Sequence, residues 1–302
     1  MEFGGNETGL DALLRRSEQE SIRRRLLRSP VTVIAELIYR HFSLRAERSH
    51  INEQPVRVVC ISDTHNTQPA LPDGDILIHA GDLTQSGTRA ELEAQIEWLH
   101  SQPHRFKVVI AGNHELCLDQ KQLTERSIDW RSLHYLENSS VTLDLGCRRL
   151  KVFGSPYTPK HGNWVFQYAR AENIWDDISI PANLDILVTH GPPRTHLDLG
   201  RFGCQFLREW LWSAQRKPCL HVFGHVHGGY GKETVAWDGL QRAYEGVMDG
   251  KVKYTNLVSL GYHALLRVVG IVNPTQRTVF VNAAAVGGVR DEKQRGAISV
   301  DI

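Results

Sequence analysis

Five short polar clusters stand where an apolar run of the chain ends. Each contains aspartate, asparagine or histidine, which are side chains that bind divalent metal ions in proteins. The candidate ligands are two carboxylates, one amide and four imidazoles: Asp63, His65, Asp82, Asn113, His190, His225 and His227. Seven ligands exceed the four of a single zinc ion and suit two divalent ions about 3.5–4 Å apart with one bridging carboxylate. The mixed oxygen and nitrogen set favours Mn, Fe or Zn over Ca.

The apolar runs before these clusters predict buried strands that bring the ligands to one edge of a sheet. Ligands of open α/β sheets lie beyond the carboxyl ends of such strands. Asp63 and His65 are two residues apart, as are His225 and His227, so in an extended chain each pair points the same way. Gly81 lacks a Cβ and allows a sharp turn before the second cluster. The predicted strands are residues 56–61, 76–78, 106–110, 184–189 and 220–223, with later strands at 278–282 and 297–302, and a helix is predicted at 88–100.

Each cluster taken singly has an ordinary structural explanation. A Gly-Asp pair is common in turns and at the N-termini of helices, and an isolated loop histidine is as often unliganded as liganded. The recurrence of such residues at five strand ends is what favours a metal centre.

Composition sets the broad class of protein. The 302 residues are 41% apolar and 23% charged, with a net charge of +1, as in an ordinary globular protein without the basic field that a nucleic-acid polymer requires. Five cysteines without a Cys-x-x-Cys pair indicate reduced thiols in an intracellular protein, and we expect a cytoplasmic location. The sequence has no uncharged apolar run of about 18 residues, so it predicts no transmembrane segment.

The first fifty residues differ from the rest of the chain. Leu10, Leu13 and Leu14, and residues 31–42 beyond Pro30, predict one or two amphipathic helices. A mitochondrial transit peptide is the less favoured explanation, because five acidic residues fall within the first twenty. We expect an accessory helix that packs on the domain or contacts a partner or a membrane surface.

The ordered motifs Asp-x-His, Gly-Asp, Gly-Asn-His-Glu, His-Gly and Gly-His-x-His resemble those of the calcineurin-like metallophosphoesterase superfamily. The runs around them are similar to the metallophosphoesterase-domain-containing (MPPED) group, which is itself similar to class III cyclic-nucleotide phosphodiesterases; they are residues 76–82, 110–115, 189–193 and 221–225. The resemblance implies a four-layer α/β sandwich of two mixed β-sheets flanked by helices. It covers residues 55–232 and about 278–302, which suggests an N-terminal helical extension (1–50) and a metallophosphoesterase domain (55–302) with an insertion at about 233–277.

The resemblance also implies roles for the polar residues. It divides the ligands into two sets around a bridging Asp82: Asp63, His65 and His227 for the first ion, and Asn113, His190 and His225 for the second. His114 would be no metal ligand but the general acid that protonates the leaving group; the alternative is that it only orients Asp63.

The reaction implied is hydrolysis of a phosphoester. Two divalent ions lower the pKa of a shared water until it is hydroxide near neutral pH, and they neutralise the charge that develops on the phosphate. The hydroxide attacks phosphorus in line, and a positioned general acid contributes about 10²–10⁴ in rate.

Substrate selectivity must come from the walls of the site. The loop at 154–164 is rich in Pro and Gly and carries Tyr157 and Trp164, whose rings could stack on a nucleobase, while Lys160 and His161 could meet a second phosphate or a ribose. We predict a small phosphodiester substrate, with a cyclic nucleotide the first choice by family likeness. The alternatives are a phosphomonoesterase or protein phosphatase, and a weakly active scaffold protein with the same fold. The aromatic residues could also simply pack on the sheet.

Overall fold

The computed structural model describes residues 22–43, 55–119, 128–146, 148–250, 252–288 and 292–302. The amphipathic pattern around Leu10, Leu13 and Leu14 lies outside these ranges.

Two mixed β-sheets form the centre of the structure. The first consists of β1 (Arg57–Ile61), β2 (Ile76–Ala80), β3 (Phe106–Ile110), β4 (His134–Tyr135) and β15 (Ile298–Asp301), in the order β15-β1-β2-β3-β4. The second consists of β5 (Ser139–Asp144), β6 (Arg149–Ser155), β9 (Ile186–Thr189), β10 (Leu220–Phe223), β11 (Gly231–Ala236) and β12 (Arg277–Asn282), in the order β11-β12-β10-β9-β6-β5. The central strands of both sheets are parallel, and β15, β11 and β5 are antiparallel edge strands.

Short elements lie outside the two large sheets. Two small pairs join β7 (Thr158–Pro159) to β8 (Gln167–Tyr168) and β13 (Val286–Gly287) to β14 (Lys293–Gln294). Single 3₁₀ turns occupy Leu116–Leu118, Ile174–Asp176 and His227–Gly229.

The two sheets pack face to face, and a helix covers the outer face of each. Val58 and Cys60 of β1 point into the core between the sheets, whereas the alternate residues Val59 and Ile61 pack under helix α3 (Arg89–Ser101). On the other side, Phe223 of β10 packs with helix α4 (Gln205–Ser213). The order helix, sheet, sheet, helix confirms the four-layer α/β sandwich.

Four further helices form what we call the helical module. They are α1 (Ile22–Arg28), α2 (Pro30–Ser43), α5 (Gly239–Met248) and α6 (Lys253–Val268). Helices α2, α5 and α6 pack around an apolar cluster of their own, and α1 contacts α2. The buried cluster consists of Ala35, Leu240, Ala243, Val247, Leu260 and Ala264. The N-terminal segment therefore contacts the segment at 233–277, and α2 also touches the edge strand β11.

The segment at 154–164 is more regular than the sequence suggested. β6 continues through Gly154 and Ser155, and β7 pairs in parallel with β8. The glycine is needed for packing between the sheets, because a Cβ at Gly154 would lie 2.6 Å from side-chain atoms of both Ile110 and Leu136.

Candidate metal centre

The seven predicted ligands meet where the carboxyl ends of the central strands of both sheets converge. Asp63 and His65 follow β1, Asp82 follows β2 and Asn113 follows β3. His190 follows β9, and the remaining two histidines, His225 and His227, follow β10. Five of the seven are buried and the last two are half-buried.

The ligand atoms form two groups that flank the buried carboxylate of Asp82. Asp63, His65 and His227 offer atoms that all lie within 4.8 Å of one another, and so do Asp82, His190 and His225. Asp82 Oδ2 lies 3.2 Å from His190 Nε2 and 3.9 Å from His65 Nε2, so this one carboxylate faces both groups. The amide oxygen of Asn113 lies 3.2 Å from His190 Nε2.

Four ligand-bearing residues adopt left-handed backbone conformations. The φ angles are +50° at Asp63, +44° at His65, +53° at Asp82 and +64° at His225. This region costs a non-glycine residue on the order of 1–3 kcal/mol, and such strain concentrates at functional sites. Packing is equally tight, because a Cβ at Gly224 would lie 1.9 Å from Asp63 Oδ2.

The electrostatics of the site favour bound positive charge. Burial opposes ionisation of Asp82, yet the adjacent His190 holds the pKa of that carboxyl well below its usual range. Burial likewise lowers the pKa of His190, but Asp82 outweighs it and raises the pKa to about 9. Asp63 follows the same pattern, since His227 overcomes burial and lowers its pKa to about 2.

These residues fit a pair of divalent ions. Both ring nitrogens of His65 are buried and have no hydrogen-bond partner within the described part of the chain. A buried imidazole without a partner is costly unless something else, such as a metal ion, uses its lone pair. Two buried carboxylates, an amide oxygen and four imidazoles are a donor set for transition-metal dications.

The carboxylate of Glu115, to which sequence reasoning gave no role, sets the position of Asp82. Its Oε2 accepts hydrogen bonds from the backbone N–H groups of Asp82 (3.0 Å) and Gly112 (2.6 Å). Its Oε1 accepts from the N–H and hydroxyl of Thr84, both at 3.0 Å. Glu115 therefore ties the loop after β2 to the loop after β3, and its place directly after His114 in the motif was the available signal.

Two buried histidines support the ligand loops in matching ways. His79 Nε2 lies 3.0 Å from the hydroxyl of Thr64, between Asp63 and His65, and His221 Nε2 lies 2.8 Å from the hydroxyl of Thr189, next to a ligand. Each threonine hydroxyl also lies within hydrogen-bond distance of a backbone carbonyl, at 3.4 Å for Thr64 and 2.8 Å for Thr189; with the hydroxyl donating to that carbonyl, the imidazole donates its Nε2–H to the threonine. Burial lowers the pKa of His79 to about 3 and also lowers that of His221, which keeps both rings neutral.

His79→Leu is expected to weaken metal binding by about 10–100-fold, because Thr64 loses the donor that holds the loop between two ligands. His79→Gln should retain much of the affinity, since its amide N–H can reach the same hydroxyl. Isothermal titration calorimetry with the metal ion measures the affinity of both variants. His104→Leu is the matched control: His104 is also buried, and its Nε2 bonds the carbonyl of Pro72, away from the ligands. Unchanged metal affinity in a folded His79→Leu protein would contradict this role.

His114 is placed by contacts with three residues. Its Nδ1 lies 2.8 Å from the carbonyl of Gln85, and the indole of Trp164 stacks on its ring with centroids 4.0 Å apart and planes 22° apart. The ring of His114 also meets that of His65 edge-on, at 4.6 Å between centroids. The side chain of His114 also forms a group with His65 and Asp82 whose ligand atoms lie within 4.8 Å of one another.

The three residues predicted to bind substrate occupy different places. Trp164 is 38% exposed and lies on His114. His161 is exposed, with its ring centroid 6.5 Å from that of His225. Tyr157 is half-buried; it packs against the apolar cluster beneath the second sheet and meets Phe166 edge-on.

The family follows from these motifs and from comparison with known proteins. The family model for calcineurin-like phosphoesterases matches residues 56–229, and the chain belongs to this family. The resemblance that the sequence motifs indicated is thereby confirmed, and the family description indicates a hydrolase.

The relatives extend this assignment. Metallophosphoesterase domain-containing protein 1 of Homo sapiens is 39% identical over 58% of this chain and 61% of its own length. A UPF0046 protein of Caenorhabditis elegans is 37% identical over 58% of this chain and 65% of its own length. Probable rhamnogalacturonate lyase C of Emericella nidulans is 58% identical over 98% of this chain but only 29% of its own length. The chain spans less than two thirds of each of these relatives.

Proposed function

We propose that this protein is a dinuclear metal-dependent phosphodiesterase that hydrolyses a small phosphodiester. The observation that carries the proposal is the pair of ligand groups on either side of Asp82. Asp63, His65 and His227 would hold one ion, and Asn113, His190 and His225 the other. Mn, Fe and Zn suit this donor set.

The side chains prepare the site for in-line attack on phosphorus. Bound dications supply Lewis acidity, which lowers the pKa of a bound water and neutralises phosphate charge. Burial of the carboxylates keeps solvent from screening that charge. Glu115 and Thr84 hold the loops on which the ligands stand.

His114 is proposed as the general acid. When its ring is protonated, both nitrogens donate: Nδ1–H to the carbonyl of Gln85, and Nε2–H to the departing alkoxide oxygen. The stacked indole of Trp164 restricts rotation of the imidazole, which keeps the second donor aimed at one position.

A nucleotide is the substrate class that the rim of the site favours. Trp164 uses one face on His114 and is still 38% exposed, which leaves surface for a stacked base. The exposed Lys160 and His161 add polar groups that can contact a ribose or a phosphate. A cyclic nucleotide is therefore the first substrate to test.

Other functions have less support. A phosphomonoesterase or protein phosphatase uses the same ligand set, and a scaffold protein would not need all seven ligands in place. The lyase activity in the name of the fungal relative is not extended to this chain, because the match covers 29% of that protein.

No helix in the described part of the chain is long and apolar enough to cross a membrane. The free thiols of Cys60, Cys117, Cys204 and Cys219 support our proposal of a cytoplasmic location.

We expect the purified protein to bind close to two transition-metal ions and to hydrolyse bis(p-nitrophenyl) phosphate faster than p-nitrophenyl phosphate. Metal analysis and steady-state kinetics test this, with a chelator-treated sample as the control. The natural class is tested with 2′,3′- and 3′,5′-cyclic nucleotides and linear dinucleotides, comparing Trp164→Ala with Trp164→Phe. Faster turnover of monoesters than of every diester would overturn the proposed diesterase activity. A protein that binds metal but hydrolyses no ester would support the scaffold alternative.

A further inference from the structure

Helix α6 presents a second apolar face to solvent. Five large hydrophobic residues along it are between 56% and 77% exposed, and we call them the apolar stripe: Tyr254, Val258, Tyr262, Leu265 and Val268. At 3.6 residues per turn they fall within a sector of about 120°. Gly261 lies in the same sector, and a Cβ there would meet nothing within 4 Å.

The stripe is additional to the face that α6 buries. Leu257, Leu260 and Ala264 lie on an adjoining face, centred about 100° around the helix axis from the stripe, and pack in the core of the helical module. A helix on the surface of a globular protein normally has one apolar face, and contiguous exposed apolar surface marks an interaction site.

The module that carries the stripe is strongly basic. Its four helices contain eight Arg or Lys residues and two Glu residues, a net charge of +6, whereas the whole chain has +1. Both glutamates are already paired: Glu36 lies 2.6 Å from Arg25, and Glu245 lies 3.1 Å from His196. Arg23, Arg24, Arg28 and Arg40 have exposed side chains, and α6 itself contains no acidic residue.

We propose that the apolar stripe docks on an anionic lipid surface, with α6 lying in the plane of the headgroups. Amphipathic helices bind bilayers in this way when apolar residues enter the acyl boundary and basic residues contact anionic headgroups. Tyrosine is suited to that boundary, because its ring is apolar and its hydroxyl is polar.

The charge argues against a second copy of the chain as the occupant. A symmetric dimer through the stripe would bring two modules of charge +6 together, and like charges across an interface are unfavourable. The stripe is also the convex side of a helix, which can enter a lipid interface but does not form a groove for a peptide.

The test is co-sedimentation of the full chain with vesicles of phosphatidylcholine, alone or mixed with phosphatidylserine. We expect at least about ten-fold tighter binding to the mixed vesicles. Val258→Asp with Leu265→Asp should remove that gain, as should Arg23→Glu with Arg24→Glu. The matched control is Arg105→Glu with Arg149→Glu, which makes the same change in charge beside β5, at the opposite edge of the second sheet from β11. The control should bind like the unaltered protein.

Hydroxyl-radical footprinting of Tyr254 and Tyr262 reports what covers the stripe. Both rings should be oxidised readily in buffer. Their rates of oxidation should fall by at least about ten-fold only when anionic vesicles are added. Protection in dilute protein without lipid would show that another part of this chain covers the stripe, and protection that grows with protein concentration would show a second copy. Either result, or equal binding to both kinds of vesicle, overturns the proposal.

Discussion

Asp82→Asn is expected to lower diester hydrolysis by at least about 10³-fold and to reduce the metal content to below two ions per chain. The carboxylate of Asp82 faces both ligand groups, at 3.2 Å from His190 Nε2 and 3.9 Å from His65 Nε2. The substitution keeps the shape of the side chain but removes the negative charge that would lie between two cations.

Metal analysis and kinetics on the same preparation measure this effect. Asp73→Asn is the control, because Asp73 is exposed and lies in the loop before β2. Full activity with two bound ions in Asp82→Asn would rule out a bridging carboxylate. Loss of one ion with full activity would instead indicate a mononuclear enzyme.

His114→Ala is expected to slow hydrolysis of diesters with alkoxide leaving groups by about 10²–10⁴-fold, because their departing oxygen needs a proton. Hydrolysis of diesters of p-nitrophenol should slow much less, since p-nitrophenolate leaves unprotonated. The difference is measured with a series of diesters whose leaving groups differ in pKa. In His114→Ala the rate of hydrolysis should depend more steeply on the leaving-group pKa than in the unaltered protein.

The contacts of His114 provide the controls for this second prediction. His100→Ala removes a histidine on α3 whose Nδ1 bonds the hydroxyl of Ser132, and should leave both substrates unaffected. Trp164→Ala should reduce the same alkoxide reactions and add little in the double variant, because it acts through His114. Equal losses on all leaving groups would show that His114 only positions the site. A fall in metal content would show that it is a ligand.

The central strands could be predicted because each is a short apolar run that ends in a turn. Residues 106–110 and 220–223 form strands with the predicted bounds. The predicted helix at 88–100 begins at Arg89, where Thr88 and Glu91 form a capping box. Since parallel strands end at a common edge, the same runs also indicated which polar residues would meet.

Other features depend on contacts between segments that are distant in sequence. The helices of the insertion at about 233–277 could not be predicted from the sequence, because α6 is apolar on two faces and its helical period is blurred. The role of His79 depends on Thr64, and that of Glu115 on the loop after β2. The sequence shows Tyr157 only as an aromatic residue in a loop. The position of its ring depends on how it packs against the second sheet.

The placement of the ligands on both sheets has a mechanical consequence. Asp63 and His65 leave the first sheet and His227 leaves the second, so an ion shared among them would cross-link the two halves of the sandwich. Links between residues far apart in sequence remove the most freedom from the unfolded chain, as a long-range disulfide does. A pair of bound ions would thus cross-link the two sheets without oxidation of any cysteine. Removing the ions with a chelator would lower the denaturant concentration at which the sheets separate.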